Sequence, residues 1–158
     1  MSETEKRDKK NINIEKWDND SILSGLMDSQ HEAFDAVKSS LVDIEKAVSL
    51  AVTKIQNNSS SQIVYVGSGT SGRIGILDGV ELIPTFGWPN ERLKFCFSGK
   101  DVSKPSEGSE DDIELAKNDF HKSNITSKDV VICVAASGTT KYAVSILDMA
   151  KQIGALTI

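Results

Sequence analysis

Short apolar runs alternate with helix-forming stretches from residue 61 to the end of the sequence. Four runs have the length and the apolar character of buried strands: Ile63–Val66, Leu93–Phe97, Val130–Ala135 and Ala155–Ile158. Strands that are apolar on both faces and are separated by crossover helices occur in parallel sheets that helices cover on both sides. The alternation therefore predicts an α/β fold, a parallel sheet flanked by helices, with any ligand beyond the carboxyl ends of the strands.

A helical segment is expected before this alternation. Residues 1–16 are polar, charged and without a period, which is typical of a disordered tail. Asp20 or Ser21 is predicted to cap a short helix through Met27, and apolar residues then recur at helical spacing over residues 28–56. The predicted organisation is a tail at 1–16, a helical segment at 17–60 and an α/β region at 61–158.

Composition excludes several classes of function. The chain has 18 Lys and Arg against 23 Asp and Glu, a net charge of −5, so it lacks the basic field that nucleic-acid binding requires. No apolar run approaches the ~18 residues of a membrane span, and the charged N-terminus has no apolar signal region. We therefore expect a cytoplasmic protein with no nucleic-acid or membrane partner. His31 and His121 are not at a chelating spacing, so no metal site is predicted.

The first predicted strand leads into Gly67–Gly72, a turn of glycines and hydroxyl residues that satisfies the G-x-G-x-x-G pattern. Dinucleotide binding also requires an acidic residue that closes the second strand, whereas Asp101 comes late, after Ser-Gly-Lys. The hydroxyls of Ser68, Thr70 and Ser71, together with N–H groups at a helix N-terminus, are instead suited to a phosphate monoester. A tight turn that uses small residues for geometry alone is the structural alternative.

A second turn, Ala136–Thr140, follows the third predicted strand in the same manner. Two hydroxyl-rich turns at one sheet edge could hold the phosphate and hydroxyl groups of one phosphorylated sugar. Neither turn contains the Gly-Lys-Ser/Thr of a nucleotide P-loop, which disfavours triphosphate chemistry. The predicted binding residues are Ser68, Gly69, Thr70, Ser71, Ser137, Gly138, Thr139 and Thr140.

Two carboxylates are candidates for acid–base chemistry. Glu81 is expected just after the first helix of the α/β region, among apolar neighbours, where partial desolvation would favour the protonated form that a proton donor needs. Glu110 lies in an acidic stretch whose alternative role is to stabilise the start of a helix through its dipole. Spacing alone does not distinguish Glu110 from Glu107 or Asp111.

These motifs resemble those of the N-acetylmuramic acid 6-phosphate etherases, members of the sugar isomerase (SIS) superfamily of phosphosugar-binding proteins. The resemblance rests on five ordered stretches: Val64–Gly75, Leu77–Glu81, Pro84–Gly87, Glu107–Asp111 and Ala135–Gly138. It implies a SIS-type, flavodoxin-like three-layer sandwich, and it makes residues 61–158 the N-terminal part of the phosphosugar-binding domain. Since the chain ends inside an apolar run, it is expected to be a truncated form of a family member.

The resemblance also implies an activity. Such a lyase cleaves the D-lactyl ether of N-acetylmuramic acid 6-phosphate by elimination and water addition, giving N-acetylglucosamine 6-phosphate and D-lactate in the recycling of cell-wall amino sugars. It implies Glu81 as the acid, Glu110 as the base, no cofactor, and a homodimer. The chain departs from the family by having Thr139, Thr140 and Lys141 where an Arg followed by Thr-Pro is usual.

Two other classes of function stay open. A noncatalytic phosphosugar-sensing module, similar to the glucokinase regulatory proteins, would share the turns but has no need of a proton donor at Glu81. A dinucleotide-binding oxidoreductase would rest on Gly67, Gly69 and Gly72 and would bind NAD.

Overall fold

The computed structural model describes residues 9–99, 101–104 and 108–158. Its helices and strands are α1 (Asn19–Ser39), α2 (Leu41–Gln56), β1 (Ile63–Ser68), α3 (Gly69–Phe86), β2 (Leu93–Ser98), α4 (Ile113–Lys122), β3 (Val130–Val134), α5 (Lys141–Gln152) and β4 (Leu156–Thr157). Short 3-10 helices lie at Lys9–Asn11, Ile14–Lys16, Asn90–Arg92 and Ser109–Asp111. The first eight residues of the expected disordered tail lie outside the described residues.

The four strands form one parallel sheet in the order β2-β1-β3-β4, which confirms the predicted α/β fold. Gly67 of β1 is in register with Phe97 of β2 on one side and with Val134 of β3 on the other. The connection after β1 leads to β2, whereas the connection after β3 leads to β4 on the opposite side. In parallel sheets such a switch point opens a ligand crevice between the two strand ends.

Helices cover both faces of the sheet. Val64 is fully buried in a cluster with Ile146 of α5 on one face. Tyr65, the next residue of β1, lies on the other face because successive strand residues alternate. There Gly79 of α3 comes so close that a Cβ on it would lie 2.6 Å from the ring of Phe95. The sheet is therefore the middle of three layers.

The chain divides into two compact units, one that ends at Val48 and one from Ser49 to Ile158. In the described part of the first unit no residue is buried, and α1 exposes large apolar side chains such as Leu23 and Phe34. The second unit holds the sheet and every predicted site residue. The domain boundaries at residues 16 and 60 stay predictions.

The predicted start and end of the first helix are wrong. Asp18, rather than Asp20 or Ser21, caps α1, and its carboxylate accepts the Ser21 N–H at 2.9 Å. The helix continues past Met27 and ends at Ser39. There the serine hydroxyls of residues 39 and 40 donate to the Ala36 carbonyl and compete with the helical ladder.

Candidate active site

The first turn of the site joins β1 to α3 without a loop. β1 extends to Ser68 and α3 begins at Gly69, so the predicted loop Gly67–Gly72 is a strand end followed by a helical turn. Strand and helix touch through glycines, because a Cβ on Gly72 would lie 2.7 Å from the carbonyl carbon of Gly67. Gly69 has a φ of +53°, which favours glycine, and open space beside it. The first N–H groups of α3 thus stand directly at the sheet edge.

A pair of buried hydroxyls lies under this turn. Ser68 and Ser98 are in register at the ends of β1 and β2, and their Oγ atoms form a short hydrogen bond. The sequence analysis missed Ser98, because its role depends on the register of two strands. Since Ser68 is engaged in this pair, it makes no side-chain capping bond to α3 among the described residues. The neighbouring Thr70 is exposed and Ser71 is half-buried.

The second turn follows β3 and is built from the same kinds of residue. The Ser137 hydroxyl accepts hydrogen bonds from the Thr139 N–H at 3.2 Å and from the Thr139 hydroxyl at 3.0 Å. Gly138 between them has a φ of +66°. Thr140 is the N-cap residue of α5 and, within the part of the chain that is described, makes no side-chain capping bond. Because β1 and β3 are paired, the two turns lie on adjacent strands at one edge of the sheet.

Glu110 lies on the 3-10 helix Ser109–Asp111, before α4 begins at Ile113. Asp112 is the N-cap of α4, since its carboxylate accepts the Leu115 N–H at 2.8 Å. The cap separates the acidic stretch into a turn that carries Glu110 and a helix that starts after it.

The residues on both sides of Glu110 are attached to the sheet edge. The Ser109 hydroxyl donates to the Ser98 carbonyl at 2.8 Å, and Asp111 lies 3.5 Å from the ammonium of Lys141, the first residue of α5. Glu110 itself is exposed and makes no hydrogen bond or ion pair with the described residues. Among the described residues of this stretch, Asp111 is therefore paired with Lys141 and Glu110 is not paired, whereas Glu107 lies outside the described residues.

Within one copy of the chain, Glu81 does not lie near the two turns or Glu110. It belongs to α3, not to the segment after it, because the helix continues past Pro84 and ends at Gly87, whose φ is +65°. The helix rises about 18 Å between Gly69 and Glu81 at 1.5 Å per residue. The carboxylate is exposed, so the expected partial desolvation is wrong for the chain by itself.

Asp101, the acidic residue that dinucleotide binding would use, is hydrogen-bonded within its own turn. The hydroxyl and the N–H of Ser103 donate to Asp101 at 2.7 Å and 2.9 Å, and these bonds hold the pKa of Asp101 below its usual value. Both cysteines are thiols that burial makes hard to ionise: it raises the pKa of Cys96 to about 11 and that of Cys133 to about 12. Neither the Asp101 carboxylate nor the two thiols therefore provide a reactive group at the two turns.

Among residues 9–99, 101–104 and 108–158, no three His, Cys, Asp or Glu side chains are grouped closely enough to ligate a metal ion. In the same residues, none of the helices combines the length and the apolar composition needed to cross a bilayer.

Curated proteins similar to this chain include several named N-acetylmuramic acid 6-phosphate etherase. The chain is 41% identical to the one from Geobacillus thermodenitrificans (strain NG80-2) and 38% identical to the one from Listeria welshimeri, over 98% of the chain and 52% of each relative. It is 39% identical to the one from Deinococcus radiodurans, over 88% of the chain and 46% of that relative. The chain thus spans about half the length of the curated relatives it matches.

The match to a domain family covers most of the second unit and part of the first. Residues 27–151 match the family described as the glucokinase regulatory protein N-terminal SIS domain. The match is consistent with the four-stranded parallel sheet flanked by helices. It confirms the predicted SIS-type fold, and the chain belongs to this SIS domain family.

Proposed function

We propose that this chain forms the N-terminal half of the catalytic framework of a carbon–oxygen lyase. The proposed reaction cleaves the D-lactyl ether of N-acetylmuramic acid 6-phosphate to N-acetylglucosamine 6-phosphate and D-lactate. The observation that carries the proposal is the pair of hydroxyl-lined turns on adjacent strand ends, with an unengaged Glu110 attached to the same edge. The activity for which the relatives are named supports this reaction over others that a phosphosugar site could host.

The two turns are proposed to bind the phosphorylated end of the sugar. A phosphate monoester carries about −1.5 to −2 charges at neutral pH, and helix N-termini attract such an anion with their N–H groups and dipoles. The turns of residues 67–72 and 136–140 contain hydroxyls and no acidic residue. Binding energy from the phosphate would thus be gained away from the bond that breaks, and would hold the reacting carbons in place.

In the proposed chemistry, the open-chain sugar first loses lactate by elimination. The Glu110 carboxylate accepts the proton of the acetamido-bearing carbon, the electron pair of that C–H bond forms a carbon–carbon double bond, and the lactyl C–O bond breaks. An acid protonates the departing lactate oxygen. Water then adds across the double bond, with its oxygen at the carbon that held lactate. Elimination and hydration change no overall oxidation state, so the proposal includes no cofactor.

Glu81 is the proposed acid, and its position leads to a proposed homodimer. Ile74 and Leu77 are 59% and 66% exposed, and they lie seven and four residues before Glu81, on the same side of α3. A second copy packed on this apolar side would desolvate Glu81 and favour its protonated form. We propose that each copy supplies Glu81 to the turns of the other. We also propose that the protein acts in the cytoplasm, because the charge of a sugar phosphate keeps it from crossing the membrane.

The decisive experiment measures lactate release from N-acetylmuramic acid 6-phosphate. Glu110→Gln is expected to reduce the rate by about 10²- to 10⁴-fold, the usual contribution of a general base. It should also abolish exchange of solvent deuterium into the acetamido-bearing carbon of the product. Glu114→Gln, which changes an exposed carboxylate of α4 that pairs with Lys117, is the control and should be unaffected. Continued exchange in Glu110→Gln contradicts the assignment of the base.

Glu81→Gln is expected to lose lactate release and to keep its affinity for N-acetylglucosamine 6-phosphate. Mixing the two inactive variants tests the proposed homodimer. If subunits exchange at random, one of the two sites in each mixed dimer is intact, so about a quarter of the wild-type activity should return. No recovery in a mixture that contains proven mixed dimers contradicts the sharing of Glu81.

A noncatalytic phosphosugar-binding regulatory module is the second candidate. The description of the matching SIS domain family favours it, and so does the exposure of Glu81 in the single chain. A regulatory module would bind N-acetylglucosamine 6-phosphate with an affinity that Glu81→Gln and Glu110→Gln leave unchanged, and the wild type would release no lactate.

A further inference from the structure

Arg73 fastens the connection that follows β2 to the second turn of α3. Its Nε donates to the Val102 carbonyl at 2.7 Å, and its Nη2 donates to the Lys104 carbonyl at 2.8 Å. A planar guanidinium holds two N–H donors at a fixed spacing, a geometry that the ammonium of a lysine does not provide. The etherase proposal assigns no role to this residue.

The segment that Arg73 holds is a turn closed by its own hydrogen bonds. The Lys104 N–H donates to the Asp101 carbonyl at 3.2 Å, and the Asp101 carboxylate accepts the Ser103 N–H and hydroxyl. These bonds shape the turn without attaching it to a helix or strand. In the described part of the chain, both hydrogen bonds that make such an attachment come from Arg73.

The attachment point lies beside the first hydroxyl-lined turn. Arg73 follows Gly69 by four residues and Thr70 by three, so the three share one face of α3. The turn of residues 101–104 is thereby brought next to the N-terminus of α3. Five residues after Lys104, the chain reaches Ser109, whose hydroxyl binds the Ser98 carbonyl.

We propose that Arg73 is a positioning residue that holds residues 101–104 as a wall of the phosphosugar site. This inference rests on the proposed function. Arg73 acts through the connection rather than on the reacting carbons. Its bonds lie at the protein surface and outside the buried cluster of the sheet, so the fold does not depend on them.

The test compares Arg73→Ala and Arg73→Lys with the control Lys117→Ala, which also removes one positive charge from an exposed helix position. Arg73→Ala is expected to accelerate hydrogen–deuterium exchange of residues 101–104 and to lower kcat by about 10- to 100-fold, because a misplacement of the bound sugar by about 1 Å has an effect of this size. KM should rise less than kcat falls. The pH dependence of kcat should stay unchanged, because Arg73 transfers no proton. Arg73→Lys should recover little, and the melting temperatures of all variants should be close to that of the wild type.

Two outcomes overturn the inference: exchange of residues 101–104 that is equal in Arg73→Ala and Lys117→Ala, or faster exchange with a wild-type kcat. Failure of the proposed function has a different signature, since the wild type would then release no lactate. In that case, hydrogen–deuterium exchange measured with and without N-acetylglucosamine 6-phosphate still tests the role of Arg73. Protection of residues 101–104 by the ligand in the wild type, lost in Arg73→Ala, supports the wall, and protection that is equal in both proteins overturns it.

Discussion

The helices that follow the two hydroxyl-lined turns, α3 and α5, differ from α1 and α4 in how their first turns are capped. Asp18 caps α1 and Asp112 caps α4, each with a carboxylate oxygen within 2.9 Å of a backbone N–H. α3 and α5 begin after Ser68 and Thr140, neither of which makes a side-chain capping bond to the described residues. Helices α1 and α4 thus have carboxylate caps, whereas α3 and α5 do not.

The difference in capping supports the proposed phosphate site at the sheet edge. A carboxylate cap supplies the negative charge that a helix N-terminus favours, and it occupies the N–H groups. Each omitted cap costs about 1 kcal/mol of stability. A bound anion can offset that cost, because any ligand that binds only the folded state stabilises it. The two uncapped helices therefore fit the proposed phosphate site, whereas the capped ones do not.

Of the changes that test this comparison, a carboxylate in the first turn of α3 should have the largest effect, and the effect should be on ligand affinity. Thr70→Asp adds a negative charge in the first turn, which the helix dipole favours but which repels a phosphate on the same N–H groups. We expect the affinity for N-acetylglucosamine 6-phosphate, measured by calorimetry, to fall about 100-fold, since like charges a few ångströms apart interact by a few kcal/mol near a protein surface. The melting temperature should not fall. Thr70→Asn is the matched neutral control, and equal affinities in the two variants would show that α3 does not receive the phosphate.

Removing a cap from α4 should have a smaller effect, and on stability instead of binding. Asp112→Ala is expected to lower the free energy of unfolding, measured in urea, by about 1 kcal/mol, the usual cost of a lost cap. Asp112→Asn keeps a capping oxygen and should lose only part of this. The affinity for the sugar phosphate should stay within about twofold of the wild type, since the proposed phosphate site is formed by the first turns of α3 and α5 and not by that of α4. A loss of affinity as large as in Thr70→Asp would remove the distinction between capped and uncapped helices.

Much of the fold could be predicted because the strands carry a strong local signal. The apolar runs around Val64, Cys96 and Val131 are short and uninterrupted, and the glycine-rich turns follow strands, as they do in parallel sheets. Adjacent turns at one edge follow from topology once the sheet is parallel. The positions of Ser68 and Ser137 at this edge could therefore be predicted from the sequence.

The positions of the two carboxylates were less accessible, since each depends on where a helix begins or ends. Pro84 lies inside the last turn of α3 without ending it, and Gly87, with a φ of +65°, is the residue after which the helix stops. Asp112 is one of several consecutive acids, and nothing local shows which of them reaches the Leu115 N–H. The contact of Ser98 with Ser68 required the register of two strands distant in sequence.

The smallest expected effect concerns the cap of α1 and its pH dependence. The N–H and hydroxyl of Ser21 hold the pKa of Asp18 below its usual value of 3.8. Because the folded-state pKa is the lower one, the stabilisation is complete above pH 3.8 and is lost as the pH falls through the folded value. Circular dichroism between pH 5 and pH 2 should show a loss of helicity that is smaller in Asp18→Asn, whose capping oxygen does not titrate. Other carboxylates titrate in both proteins, so only the difference between the two curves reports the cap. If the curves coincide, the cap of α1 contributes nothing in solution, and the contrast with α3 and α5 then depends on α4 alone.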